Sequence, residues 1–337
     1  MELSTTAIAA RNMDFGTTSA AIRKMKNDYN LEGWALCALV GGAALAVIPV
    51  GIVSAVSADE PSTTAWFIFY LVPYLIGFLA HLIVLKRPPA NVVETRPLTA
   101  TQWLAALLCC VPIIALGSLL GSGLSSLISG GTAVNPMENA FHSTGLRLVF
   151  SVLLAPLWEE FIFRKLMIDR CGAYGHRSAV IFSAVMFALY HGNLYQLFYA
   201  FGVGLVLGYV YSHTGRVAYT IALHMALNLW ASIPSLLLND SAAASLIAIR
   251  TGCIDTVTLV NSLPDLTGYI NYLVVKAMLC VGGVVMLIRL HRMKGICWKD
   301  KELEMPPRQR INTIYHNAGV VVFITICCIE CALALLI

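Results

Sequence analysis

The chain has 337 residues, of which 22 are Lys or Arg and 18 are Asp or Glu, so charged side chains make up only 12% of it. Soluble domains contain about 25% charged residues, whereas here 58% of the residues are hydrophobic and the mean hydropathy is +0.76. This composition excludes a soluble enzyme, a disordered chain and a nucleic-acid-binding protein. It predicts an all-α, polytopic membrane protein that has the lipid bilayer, and no nucleic acid, among its partners.

Long apolar stretches predict the helices that cross the membrane, since a helix needs about 20 residues to span the hydrocarbon core. The nine stretches are 34–56, 65–85, 102–128, 146–168, 178–192, 194–212, 217–238, 269–290 and 317–337. One of them, 178–192, is short, so we expect a bundle of about eight or nine spanning helices. Two small-residue patterns, Gly117-x-x-x-Gly121 and Gly204-x-x-x-Gly208, predict close helix packing without naming a partner helix.

The distribution of positive charge predicts the orientation of the chain. When the nine stretches are taken as spans, the segments between them alternate between the two sides of the membrane. Of the 22 Lys and Arg residues, 19 are assigned to the side that also holds the N-terminus. Cytoplasmic loops are enriched in Lys and Arg. We therefore expect a protein of the plasma membrane with a cytoplasmic N-terminal segment (1–33), followed by N-terminal transmembrane helices (34–140). A polar outer loop (239–268) and a basic inner loop (291–316) are expected in the C-terminal region (239–337).

Polar side chains inside apolar stretches are the main functional signal, because charged groups are costly in a membrane and mark functional sites. The stretch 146–168 contains Glu159-Glu160-x-x-x-Arg164, 178–192 contains Phe187-x-x-x-His191, and 217–238 contains His224-x-x-x-Asn228. Three neighbouring helices thus contribute polar groups to a shared interior. We expect the active site to lie there, inside the bundle.

Helical geometry assigns different directions to the two glutamates. Glu160 and Arg164 have the i,i+4 spacing of an ion pair within one helix. Glu159 and Glu160 are about 100° apart on a helix, so we expect that they cannot both face one site and that Glu159 points into the cavity. Phe187 is expected to form an aromatic wall one turn from His191 by the same i,i+4 rule.

These residue types suit hydrolysis by an activated water. A carboxylate can take the proton of the water, and a histidine can orient that water or return a proton to the leaving amine. A second histidine with an amide, His224 with Asn228, can donate hydrogen bonds to the oxyanion of a tetrahedral intermediate. The alternative is that Glu159, His191 and His224 bind a divalent metal such as Zn²⁺. The sequence does not decide between the two.

The three motifs, in this order within 70 residues, resemble those of the CPBP family (CAAX protease and bacteriocin-processing, or Abi), which includes the type II CAAX prenyl endopeptidases. The resemblance covers about residues 145–232 and places the catalytic core helices within 141–238. It implies an intramembrane endopeptidase that acts on a membrane-associated or leader-bearing peptide or protein. By the same resemblance Glu159 and His191 would activate water, His224 and Asn228 would form the oxyanion site, and Glu160 and Arg164 would be supporting residues.

Two other functions stay open at this stage. A non-catalytic membrane scaffold or immunity protein could keep the same fold and act by binding another protein. A transporter could use the glutamates as a proton relay, but it would be expected to show inverted internal repeats, and none is recognisable in the sequence. Outside the motifs, Lys276 and Glu330 lie in the last two apolar stretches at similar depth, and we expect an ion pair between them.

Overall fold

A computed structural model describes residues 5–56, 62–86, 93–136, 143–237, 246, 256–292 and 307–336. Within these ranges the chain folds into ten helices and contains no strand. The predicted all-α helical bundle is thus confirmed. The predicted outer loop 239–268 and inner loop 291–316 lie partly outside the described residues.

The bounds of several helices follow the apolar stretches closely, whereas Pro307–Tyr315 lies inside the predicted inner loop 291–316. The first three are α1 (Thr5–Val56), α2 (Thr63–Leu85) and α3 (Ala100–Ser129), and α4 is a composite helix over 144–171. The others are α5 (His176–Tyr190), α6 (Leu194–Thr214), α7 (Val217–Leu237), α8 (Thr256–Arg292), α9 (Pro307–Tyr315) and α10 (Ala318–Leu333). Side-chain caps fix several starts. Thr99 forms a capping box with Gln102, and Asn193 accepts a hydrogen bond from the Gln196 N–H at 3.0 Å.

In the part of the chain that the structure describes, six helices are long and apolar enough to cross a membrane, namely α1, α2, α3, α6, α7 and α8. A seventh span results if α9 and α10, which meet at a 72° bend, are counted together. The fifth helix has 15 residues, which is about 22 Å of helix, less than the hydrocarbon core of about 30 Å. The polytopic bundle is established, whereas the count of eight or nine spans stays a prediction.

Two helices extend well beyond the predicted spans. The first begins at Thr5, inside the segment 1–33 that was predicted to precede the membrane, and its candidate span is Ser19–Ile48. The eighth begins at Thr256, although the sequence predicted a loop up to residue 268. The reason is that hydropathy detects the part of a helix that suits lipid, while the backbone hydrogen bonds of a helix continue into polar sequence.

Both small-residue patterns lie at close helix contacts, as predicted. A Cβ atom at Gly117 would lie 2.5 Å from the Tyr199 backbone nitrogen, and one at Gly121 would lie 2.3 Å from the Leu194 carbonyl oxygen. The partner of α3 is therefore α6. The other pattern, Gly204 and Gly208, faces α5, where added Cβ atoms would press on Ala184 and Val180. Helices α5 and α6 form a tight antiparallel pair that carries the His191 turn at its end.

The last helix closes the bundle against the first. Asn30 in α1 accepts a hydrogen bond from the Gly319 N–H at 2.7 Å, and Val320, Phe323 and Cys327 of α10 are fully buried. These residues belong to the same core cluster as Phe163 and Phe187. The C-terminal helix is therefore part of the wall around the motif residues, although it lies far from them in sequence.

Candidate active site

The helix that carries the glutamates is interrupted by two π-helical segments, Leu148–Leu154 and Phe161–Leu166, on either side of Ala155–Glu160. In the first segment the Ala155 N–H donates to Phe150 O, so the next bond of this ladder would join the N–H of residue 156 to Ser151 O. Residue 156 is proline and has no N–H. The carbonyl of Ser151 is instead satisfied by Asn228 of α7, whose Nδ2 donates to it at 2.7 Å.

Glu160 and Arg164 form the predicted ion pair, and both side chains are fully buried. Arg164 Nε lies 3.1 Å from Glu160 Oε2. The guanidinium also donates to Ser183 Oγ at 3.1 Å and lies over the ring of Phe187, 4.6 Å from its centroid. A buried arginine needs a paired charge, and the Glu160 carboxylate provides it, while Ser183 Oγ accepts one hydrogen bond and Phe187 covers one face. Within the described residues, Nε and one terminal nitrogen of the guanidinium form no hydrogen bond. This arrangement fixes the face of α4 that carries Glu159.

His224 brings both glutamates to one site. Its Nδ1 lies 3.0 Å from Glu160 Oε1, and its Nε2 lies 3.7 Å from Glu159 Oε2. The prediction that Glu159 and Glu160 cannot face one site is therefore wrong. The two nitrogens of an imidazole point in different directions, so carboxylates that approach from directions about 100° apart can meet the two edges of a single ring.

Phe187 is the apolar centre of the site and is 2% exposed. Its ring meets His191 edge-on at a centroid distance of 4.9 Å and His224 at 5.8 Å. His191 Nδ1 is 2.8 Å from Phe187 O, the carbonyl one turn earlier. An N–H at Nδ1 would donate to this carbonyl, which leaves Nε2 as the nitrogen that can accept a hydrogen bond. The predicted aromatic wall beside His191 is present.

A tight turn follows His191 and joins α5 to α6. Gly192 adopts φ +60, a left-handed conformation that glycine accepts without steric cost. Asn193 Nδ2 donates to the His191 carbonyl at 2.7 Å, while its Oδ1 caps α6. The turn therefore fixes His191 at the end of α5, where its ring meets Phe187 of the polar network.

The structure thus brings together Glu159, Glu160, Arg164, Phe187, His191 and His224. Asn228 lies one helical turn from His224. Its amide donates to Ser151 O in the composite helix α4, and no described contact joins it to the other polar groups of the site. Ser183 was not predicted. It lies one turn before Phe187 on the same helix face. The i,i+4 spacing of Ser183, Phe187 and His191 could have predicted that Ser183 belongs to the site.

The donor set does not form a ready metal site. Among the residues that the structure describes, no three His, Cys, Asp or Glu side chains are grouped so that they could hold a metal ion. Glu160, which was not in the predicted ligand set, takes one nitrogen of His224. The zinc alternative, with Glu159, His191 and His224 as ligands, stays a prediction.

Comparison with known families gives a match over the part of the chain that holds this site. Residues 142–230 match the family model described as Type II CAAX prenyl endopeptidase Rce1-like. We call this matched segment, which is similar to that family, the Rce1-like region. The family resemblance predicted from the motifs is confirmed over the segment that holds all seven motif residues. No curated protein and no solved structure matches the chain.

The Rce1-like region supports a peptidase of the CAAX type at the level of the family. Together with the apolar helices, it identifies an integral membrane protein. The region runs from the start of α4 into α7 and therefore covers the polar network around Phe187. The helices before and after it, α1 to α3 and α8 to α10, have no counterpart in the match.

Proposed function

We propose that the protein is an intramembrane endopeptidase that hydrolyses a peptide bond by means of water activated by Glu159. The single observation that supports this most strongly is the placement of Glu159 beside His224, whose opposite nitrogen is held by Glu160. Glu160 is already neutralised by Arg164. Among the described residues, Glu159 forms no ion pair with Lys or Arg, and it is 9% exposed rather than fully enclosed, so it is the carboxylate that can meet a water and a substrate.

The proposed reaction begins with a water bound beside Glu159. The carboxylate takes one proton, and the water oxygen attacks the carbonyl carbon of the scissile bond, which forms a C–O bond and an oxyanion. When the C–N bond breaks, the proton passes from Glu159 to the leaving amine, so the carboxylate is regenerated and one water is consumed. His191 would orient the water by accepting its second hydrogen at Nε2.

Stabilisation of the oxyanion by His224 and Asn228 remains part of the proposal. Donors that are fixed before the reaction are the most effective, because they need no reorganisation when charge develops. Glu160 holds the ring of His224, and the Ser151 carbonyl holds the amide of Asn228. The amide keeps a second hydrogen in addition to the one given to Ser151. We therefore assign Asn228 a positioning role as well as the role of a donor.

The proposed substrate is a peptide or protein at the membrane, and the proposed orientation has the N-terminus in the cytoplasm. The direct test compares Glu159→Gln with the wild type. Membranes that contain either protein are incubated with the host proteome, and new peptide termini are identified by mass spectrometry. We expect cleavage to fall by about 10²–10⁴-fold, the usual contribution of a general base. Glu94→Gln is the matched control, because Glu94 pairs with Arg96 in an exposed segment.

Undiminished cleavage by Glu159→Gln would overturn the proposal. The scaffold alternative makes a different prediction, since binding of another protein does not need the polar network to react. If Glu159→Ala and His224→Ala are both expressed, folded and inactive towards peptides, yet keep the cellular phenotype of the wild type, the protein acts as a scaffold.

A further inference from the structure

The last helix carries a carboxylate on the face that packs into the bundle. Val320, Phe323 and Cys327 of α10 are fully buried, and they follow the i,i+3/i+4 spacing of one helix face. Glu330 continues this face at the next position. The neighbouring Ile329 is 54% exposed and belongs to the outer face. The burial pattern therefore places Glu330, which is itself only partly buried, on the face of α10 that packs against the other helices.

Glu330 lies against the turn that carries His191. A Cβ atom at Gly192 would be 2.9 Å from Glu330 Oε2 and 3.2 Å from Glu330 Cβ. Tyr190, on the other side of His191, is within electrostatic range of both Glu330 and Glu159. Glu330 thus adjoins the turn that carries His191, although it is about 100 residues beyond the Rce1-like region.

The negative charge of Glu330 is not balanced by the part of the chain that the structure describes. The ion pairs of these residues do not include Glu330 with Lys276, so the pair predicted from the sequence is wrong. No described side chain donates a hydrogen bond to this carboxylate, and Arg164 is bound to Glu160. An ionisable residue in an apolar helix that faces a protein interior is therefore a candidate functional residue.

We infer that Glu330 binds a positively charged nitrogen of the peptide substrate, close to the bond that is cleaved. This inference rests on the proposed endopeptidase function. A lysine or arginine side chain fits the site chemically, because its apolar stem can follow the apolar wall while its charged end reaches the carboxylate. A hydrogen bond between two charged groups is about twice as strong as a neutral one. Glu330 would therefore favour substrates with a basic residue at one fixed position.

The experiment uses the full-length protein in nanodiscs and a peptide library made by digesting a proteome with a protease that cuts at glutamate. Mass spectrometry gives the residues around each bond that is cleaved by the wild type and by Glu330→Gln. We expect the wild type to prefer Lys or Arg at one position relative to the cleaved bond. In Glu330→Gln the ratio of basic to neutral residues at that position should fall about tenfold or more, as for loss of a charged hydrogen bond.

Three further samples make the outcome decisive. Glu94→Gln should keep the preference of the wild type, because Glu94 is exposed and far from the motifs in sequence. Glu330→Lys should reverse the preference towards Asp and Glu, which a loss of folding cannot imitate. The third sample is a library with acetylated amino termini, which lack the terminal positive charge. The preference should persist if a Lys or Arg side chain of the substrate binds Glu330, and it should disappear if the terminal ammonium group binds there.

The results separate this inference from the proposed function. Cleavage that depends on Glu159 but shows no preference for basic residues, or a preference that survives in Glu330→Gln, overturns the role of Glu330 and leaves the endopeptidase intact. Absence of any cleavage that depends on Glu159 overturns both. A preference that is lost in Glu330→Gln and reversed in Glu330→Lys establishes the site.

Discussion

Helices α6 and α8 are both apolar enough to cross a membrane, yet they are used very differently. In the most apolar window of α6, 39% of the residues are buried within the protein, whereas the corresponding share in α8 is 6%. The eighth helix is the more apolar of the two. Apolar composition therefore reports that a helix suits lipid, and it does not report whether other helices cover it.

Polar residues distinguish the two situations. The Rce1-like region contains buried charges that contact each other across helices, such as Glu160, Arg164 and His224. Near the middle of its span, helix α8 carries Lys276, which is half-buried and forms no ion pair with Glu330. If burial rather than composition decides the energetic importance of a residue, equivalent substitutions in the two regions should differ strongly.

The largest difference is expected for removal of a cation. Arg164→Met should lower the free energy of unfolding by about 3–5 kcal/mol, because it leaves the fully buried Glu160 carboxylate without its partner. The double variant Glu160→Gln/Arg164→Met should recover much of this loss, since a neutral pair needs no compensation. Unfolding in SDS, followed by tryptophan fluorescence, measures both values.

Lys276→Met is the matched control on the peripheral helix. It replaces a cation by the same apolar side chain at a position without an ion pair to Glu330, so we expect a change of about 0.5 kcal/mol or less. Equal losses for Arg164→Met and Lys276→Met would contradict the distinction between the two regions.

The second difference concerns apolar packing. Phe187→Ala should cost about 3–5 kcal/mol, because it opens a cavity between Arg164, His191 and His224. Met278→Ala on α8 removes a large side chain that is 70% exposed, and lipid can fill the space that it leaves. We expect that change to cost about 0.5 kcal/mol. The same SDS titration compares them, and a costly Met278→Ala would show that α8 is covered by protein.

Much of this molecule could be predicted from its sequence, and the remainder has identifiable physical reasons. The bounds of α3, α6 and α7 were predicted to within about two residues, because a membrane gives a strong length and composition signal. The ion pair of Glu160 with Arg164 and the contact of Phe187 with His191 followed from helical spacing alone. These are local relations, and the geometry of one helix determines them.

The relations between helices could not be predicted in the same way. The meeting of Glu159 and Glu160 at His224 depends on how α4 and α7 cross, and the position of Glu330 depends on how α10 docks on α1. Prediction of the hydrogen bond from Asn228 to Ser151 would require prediction of the π-helical segment, and Pro156 is the only sign of that segment in the sequence. The motif residues could be listed from sequence, whereas their partners required the structure.

The smallest effect that we predict tests this last bond. Asn228→Leu should lower the free energy of unfolding by about 1 kcal/mol, which is typical of hydrogen bonds between membrane helices. The reason proposed here is that Ser151 O has no backbone donor, because residue 156 is proline. In a Pro156→Ala background the N–H of residue 156 becomes available to this carbonyl, so Asn228→Leu should then cost less than half as much.

A double-mutant cycle isolates the coupling, since each single change also alters local packing. Pro112→Ala in α3 is the matched control, because it restores an N–H within another helix that also contains an internal proline. It should leave the cost of Asn228→Leu unchanged. If Pro156→Ala also leaves that cost unchanged, Asn228 does not compensate for the proline. Its position beside His224 would then reflect the oxyanion role alone, and Asn228→Leu should reduce peptide cleavage equally in both backgrounds.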